Sequence, residues 1–229
     1  MKRNDKILIQ IKGGLIVSCQ ALKDEPLYSS FIMSKMAYAA KEGGAVGIRA
    51  NTPEDIREIK KSVDLPIIAL YKQDYPDSPI YITPTEKEVE LLMEVSPEII
   101  ALDATNRLRP GGISLDEFFR KLRKRYPDQL FMADCATYEE GIHAEEIGFD
   151  IVGTTLSGYT EDTQGINLPN LPLIKRLSET LQVPLIAEGG IWEVDDLKMV
   201  MKEKVHAVVI GSAITRPKEI TERYVKALS

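Results

Sequence analysis

Pro66-Ile67-Ile68-Ala69-Leu70-Tyr71-Lys72, residues 66–72, is an apolar run without polar alternation that ends on a lysine. A strand with one face in water alternates apolar and polar residues, so this run reads as a strand covered on both faces, as in a buried parallel sheet. Seven similar runs occur along the chain: 15–20, 45–49, 98–105, 130–136, 150–156, 184–190 and 206–212. Between them lie stretches whose charges recur at helical spacing, among them 52–62, 85–95, 115–125, 138–147 and 169–181. The unit length, roughly 20 to 35 residues, is that of strand–helix repeats rather than hairpins.

Eight such units close most naturally into a (β/α)₈ TIM barrel with a closed parallel eight-stranded sheet, here expected as a single domain over residues 1–229. The alternative, an open doubly wound sheet, lacks the Gly-x-Gly-x-x-Gly turn after the first strand that dinucleotide binding uses. Thr52-Pro53-Glu54 and Pro84-Thr85-Glu86 mark helix starts, with Thr52 and Thr85 as caps. Two connections, 73–83 and 157–168, are long and fall on the face where barrels place their sites.

The composition is that of an ordinary globular protein, 44% hydrophobic and 28% charged. A formal charge of -6 argues against a nucleic-acid partner while leaving room for a small basic pocket. Cys19 and Cys135 sit far apart in apolar runs and read as reduced core residues. The first twelve residues lack the pattern of a secretory signal and no run approaches membrane-spanning length, so no membrane partner and a cytoplasmic location are expected. His143 and His206 fall in a helix and at a strand start, so neither a metal nor a cofactor is expected.

In a barrel, polar residues at the C-terminal strand ends point into a common mouth. Here they are Gln20, Arg49, Lys72, Asp103, Asp134, Thr154 or Thr155, Glu188 and the Gly211-Ser212 turn. Lys72 ends an apolar strand where partial desolvation lowers its pKa toward neutrality and lets it accept a proton from carbon. The competing reading is a lysine that only snorkels to the rim. Arg49 is a second cation or a ligand clamp. Glu188 and Asp134 each have a structural alternative, which for Glu188 is a salt bridge with Lys72 across the mouth. Gly189-Gly190 and Gly211-Ser212, with Arg216, follow the seventh and eighth strands, where exposed N–H groups and one guanidinium suit a phosphate.

Ser18-Cys19-Gln20-Ala21, Gly47-Ile48-Arg49-Ala50, Asp103-Ala104-Thr105-x-Arg107-x-Arg109-Pro110, Ala133-Asp134 and Ala187-Glu188-Gly189-Gly190 form an ordered set. In this set the chain resembles the bacterial N-acetylmannosamine-6-phosphate 2-epimerases, from about Leu15 to Arg216. The resemblance implies interconversion of N-acetylmannosamine 6-phosphate and N-acetylglucosamine 6-phosphate in amino-sugar and sialic acid breakdown, by a homodimer. It implies Lys72 as acid/base and Glu188 as its carboxylate neighbour. Gln20, Arg49 and Asp134 are implied to hold the sugar, and Arg216 with Gly189, Gly190, Gly211 and Ser212 to hold the phosphate. The competing functions are another phosphosugar barrel isomerase, a Schiff-base lyase, or a non-catalytic sugar-phosphate sensor. Whether Lys72 alone serves both faces of the carbon, or shares them with Glu188, is open at this level.

Overall fold

The computed structural model describes residues 3–228. Eight strands follow one another around a closed parallel barrel: β1 Leu15–Cys19, β2 Gly47–Asn51, β3 Ile67–Leu70, β4 Ile99–Asp103, β5 Leu130–Asp134, β6 Ile151–Gly153, β7 Leu185–Glu188 and β8 Ala207–Ile210. Seven of them are shorter than the apolar runs that announce them, because the last residues of those runs belong to the mouth, whereas β2 continues two residues past its run, to Asn51. Lys72 lies two residues beyond β3, in an antiparallel bridge with Ile82, and Ser212 opens a helix rather than closing β8.

Helices wrap the barrel: α1 Arg3–Ile11, α2 Ser30–Glu42, α3 Pro53–Ser62, α4 Glu86–Met93, α5 Leu115–Arg125, α6 Tyr138–Glu146, α7 Leu171–Thr180, α8 Val194–Lys202, α9 Ser212–Thr215 and α10 Pro217–Lys226. Their ends follow local chemistry. Thr52 accepts from the Asp55 N–H at 3.4 Å, with Pro53 in the first turn and Lys60 and Lys61 in the last. At α4 the Thr85 N–H and hydroxyl both donate to Glu88, at 2.9 and 2.5 Å.

The two-residue period of a strand divides the core in two. Val17, Ile48, Ala69, Phe131, Ala133 and Val208 face the helices. Ile16, Ile68, Leu70, Met132, Ile186 and Val209 fill the barrel, joined at its base by Ile7 and Ile11 of α1. Two residues past these inward apolar positions stand Ser18, Lys72, Asp134 and Glu188, so the same parity that buries isoleucine below presents polar groups above. Both cysteines have the outward parity and are buried. Burial pushes the Cys19 thiol up to about 12 and Cys135 well above its ordinary value, as inert core thiols require.

Of the two long connections, 73–83 is a hairpin-like return in which the Gln73 N–H donates to Tyr81 O at 3.0 Å and the Thr83 N–H to Tyr71 O at 2.8 Å. It seats Ile82 on the barrel interior. The second, 157–168, carries a single 3₁₀ turn at Glu161–Thr163 and brings Leu168 against Gly190. A Cβ on Gly190 would lie 2.2 Å from Leu168 Cβ, and its φ is +68°, so glycine is required there for packing as well as for turning.

Candidate active site

The mouth of the barrel holds a cavity of about 290 Å³ lined by Ser18, Gln20, Arg49, Lys72, Tyr81, Thr155, Tyr159, Glu188, Gly189, Gly190, Trp192, Gly211, Ser212 and Arg216, among others. Nine of the ten site residues expected from sequence line it. The exception is Asp134, which is fully buried and lies beneath the cavity floor.

Asp134 is nonetheless central to the geometry. Arg49, 1% exposed, reaches it with a two-pronged contact, Nη1 to Oδ1 at 3.1 Å and Nη2 to Oδ2 at 2.6 Å. The same Nη1 lies 3.2 Å from Glu188 Oε2. A planar guanidinium fits such an arrangement, and its fork fixes the direction in which its remaining edge points. With both Asp134 oxygens committed to Arg49, and Oδ1 also 2.6 Å from the Thr155 hydroxyl, the carboxylate orients Arg49 and does not itself reach the cavity. The salt bridge considered between Glu188 and Lys72 is absent among the described residues. Glu188 pairs with Arg49 because β2 delivers the guanidinium between β5 and β7 across the barrel.

Lys72 is half-buried, with its N–H fixed on Asn51 Oδ1 at 2.8 Å and no carboxylate within ion-pair distance of Nζ among the described residues. Burial, then the positive fields of Arg216 and Arg49, push its ammonium down to about 8, against the opposing pull of Glu188 and Glu25. Burial, with Asp134 adding to it, pushes the Glu188 carboxyl above the ordinary range, while Arg49, the Thr155 hydroxyl and Lys72 act the other way. A lysine near neutrality beside a carboxyl raised toward it is the electrostatic signature of proton-transfer sites.

On the opposite side of the cavity, Gly189 and Gly190 take φ of +110° and +68°, conformations that L side chains rarely adopt. Gly190, Ile191, Ser212 and Ala213 line this side, and their N–H groups have no hydrogen-bond partner among the described residues. Arg216 stands at its edge, held by Glu25 at 2.5 Å and Glu219 at 3.2 Å. Two polar atoms of cavity residues, Gln20 Oε1 and Arg49 Nε, are buried without a partner among the described residues, and buried polar atoms normally have one.

The Asp103–Pro110 segment lies outside the cavity. Asp103 accepts from Thr105 N–H at 3.0 Å, Thr105 Oγ1 at 2.7 Å and Arg107 Nη2 at 2.7 Å. Arg109 donates to the carbonyls of Thr83, Pro84 and Asp103. This motif shapes the loop after β4. Sequence reasoning did not find Tyr81, Tyr159 and Trp192, which reach the cavity from loops; the signal for Tyr81 and Tyr159 is their place in the two long connections, and for Trp192 its place two residues after Gly190. His143 contacts Asp116 at 2.9 Å on the outside of the barrel, and His206 the Leu8 carbonyl at 2.8 Å at its base. No group of three or more His, Cys, Asp or Glu side chains is placed to hold a metal among the described residues.

Residues 33–229 match the family model described as "Putative N-acetylmannosamine-6-phosphate epimerase", NanE. The chain belongs to the NanE family. A relative from Clostridioides difficile strain 630, named "Putative N-acetylmannosamine-6-phosphate 2-epimerase", is 53% identical over 222 residues, covering 97% of this chain and 99% of the relative. One from Caldanaerobacter subterraneus subsp. tengcongensis is 51% identical over 219 residues, covering 96% and 92%. The solved structure of the N-acetylmannosamine-6-phosphate 2-epimerase from Clostridium perfringens superposes with a TM-score of 0.92 at 48% identity, covering 96% of both chains. A thiamine phosphate pyrophosphorylase from Pyrococcus furiosus, at 18% identity and a TM-score of 0.62, shares the barrel fold alone.

Proposed function

We propose that this NanE-family chain is an isomerase that interconverts N-acetylmannosamine 6-phosphate and N-acetylglucosamine 6-phosphate, inverting C2 by removing its proton and returning one to the other face. The observation that carries this reading is Lys72, shifted to about 8, sharing one cavity with Arg49, Glu188 and the row of unpartnered N–H groups.

The C2 proton is acidic only when a carbonyl at C1 can take up the charge, so the sugar reacts in its ring-opened form. The phosphate end sits on the Gly189-Gly190 and Gly211-Ser212 turns with Arg216, and this anchoring places C2 near Lys72. Neutral Lys72 accepts the C2 proton, and the electron pair moves into a C1–C2 double bond with negative charge on the C1 oxygen. Arg49, aimed by Asp134, and the protonated Lys72 stabilise that oxygen. Gln20 holds the sugar. A proton returned from the opposite face completes the inversion, and Glu188 is the carboxyl among the residues that line the cavity.

The step belongs to amino-sugar and sialic acid breakdown, in the cytoplasm. A homodimer is proposed with it, supported by the exposed Tyr224, Val225 and Leu228 at the end of α10 and tested by light scattering of the purified protein. The reaction is tested by proton NMR of N-acetylmannosamine 6-phosphate in deuterated water with the enzyme. The expected product is the gluco epimer carrying deuterium at C2. No epimer, or an epimer with all of its C2 protium retained, overturns the mechanism. Borohydride that traps sugar on Lys72 overturns it in favour of Schiff-base chemistry.

A further inference from the structure

Glu188 is held by two adjacent hydroxyls that have no role in the mechanism above. Thr154, 1% exposed, accepts from the Glu188 N–H at 3.1 Å and donates to the Glu188 carbonyl at 2.9 Å. One hydroxyl thus clamps both sides of that residue's backbone. Thr155 takes the side chain: its Oγ1 lies 2.6 Å from Asp134 Oδ1 and 3.1 Å from Glu188 Oε2.

A hydroxyl has one hydrogen. The shorter contact marks Asp134 as the acceptor, so the longer contact to Glu188 is favourable when Glu188 carries a hydrogen that Thr155 accepts. When Glu188 is ionised, the Thr155 hydrogen swings to it, and Asp134 is left with the two prongs of Arg49. The hydroxyl therefore answers to the charge on Glu188, and it keeps the carboxyl against Arg49 in either state.

We infer that Thr155 is a positioning residue for the reaction, which fixes the Glu188 carboxyl and couples its charge to Lys72. The inference rests on the roles given above to Lys72 and Glu188. The groups facing Glu188 are Arg49 from β2, Lys72 beyond β3, Asp134 from β5 and Tyr159 from the loop after β6, and those facing Lys72 further include Arg216 and Glu25. Removing the hydroxyl takes a hydrogen bond from Glu188 in both states, but the one donated to the charged carboxylate is the stronger and holds the carboxyl down, so its loss favours the neutral form. Lys72 then loses part of a neighbouring negative charge, and its ammonium becomes easier to deprotonate.

The test is steady-state kinetics against pH for wild type, Thr155→Val and Thr155→Ser, with circular dichroism on each. Valine keeps the shape and removes the hydroxyl. Thr155→Val is expected to lose roughly tenfold or more in kcat with KM little changed, on the scale of a hydrogen bond to a charged group. The rising limb of its kcat/KM profile is expected at lower pH than in wild type. Thr155→Ser is expected to restore most of kcat and the wild-type limb. If Thr155→Val fails to fold, Thr155→Ala against Thr155→Ser makes the same comparison. A hydroxyl-free variant with wild-type kcat and limb overturns the inference, as does a serine variant as impaired as the valine one. A wild-type enzyme that does not epimerise overturns the functional reading instead, so the two failures are distinct.

Discussion

Among the described residues two guanidiniums are wholly enclosed, Arg49 and Arg109, each 1% exposed, and they are held in opposite ways. Arg49 meets carboxylates from two other strands, Asp134 and Glu188, whose charges raise its already high pKa despite burial. Arg109 meets carbonyl oxygens of Thr83, Pro84 and Asp103 and the face of Phe118, 4.0 Å from the ring centroid. Burial pushes it down to about 10, with Arg107 adding to the shift and Asp103 resisting it, so it is still charged at neutral pH. Neutral carbonyls suffice for a cation whose task is to tie two loops together. A cation that must face a cavity and keep its fork aimed is matched with full opposing charges, which leaves a triad sensitive to any new charge in the mouth.

The contrast predicts which substitutions strike chemistry and which strike folding. The largest effect is expected at Lys72, the cation beside Arg49 with no carboxylate partner. Lys72→Ala should cost ~10²–10⁴-fold or more in kcat and abolish C2 deuterium exchange, while the phosphosugar still binds by calorimetry. Wild-type exchange in this variant would make Lys72 a structural residue.

Arg49→Met removes one partner of a buried charge cluster, so unfolding in urea should show a loss of about 3–5 kcal/mol together with loss of turnover. Arg216→Ala should raise KM for the phosphosugar with kcat much less affected, by the ~1.5–3 kcal/mol of a charge-assisted contact. An unchanged KM would remove Arg216 from the phosphate site. Arg109→Met leaves carbonyls unpaired and should cost about 1–3 kcal/mol of stability, with kcat of the folded enzyme near wild type. A kcat loss as large as that of Arg49→Met would erase the distinction between the two arginines.

The smallest effect is the pH dependence. Lys72 must be neutral to take the proton, so kcat/KM should rise with pH and level off through an apparent pKa of about 8, falling roughly tenfold below its plateau one unit lower. A profile flat from pH 6 to 9 while proton removal limits the rate would contradict the assignment.

The strand order was readable because a parallel buried sheet writes itself as unbroken apolar runs, such as 66–72 and 184–190. The inward parity of Arg49, Lys72 and Glu188 followed from the same runs. Depth did not. Asp134 has the right parity, yet it lies below Arg49, and only the stagger between neighbouring strands decides which inward residue touches the cavity. That stagger also put Arg49, rather than Lys72, beside Glu188. Tyr81 and Tyr159 come from connections whose path depends on contacts distant in sequence, such as Ser78 Oγ donating to Leu108 O at 2.8 Å. No local period encodes such a path.

The alternation along β2 sets Ile48 toward the helices and Arg49 into the barrel. A single-residue deletion early in that strand would keep its hydropathy and its length within one residue, but it would turn isoleucine inward and drive the guanidinium into the helix layer. The strands therefore tolerate changes of side chain far better than changes of count. Drift in length among variants of this chain has to be accommodated in the connections, where residues 73–83 and 157–168 already carry the surplus.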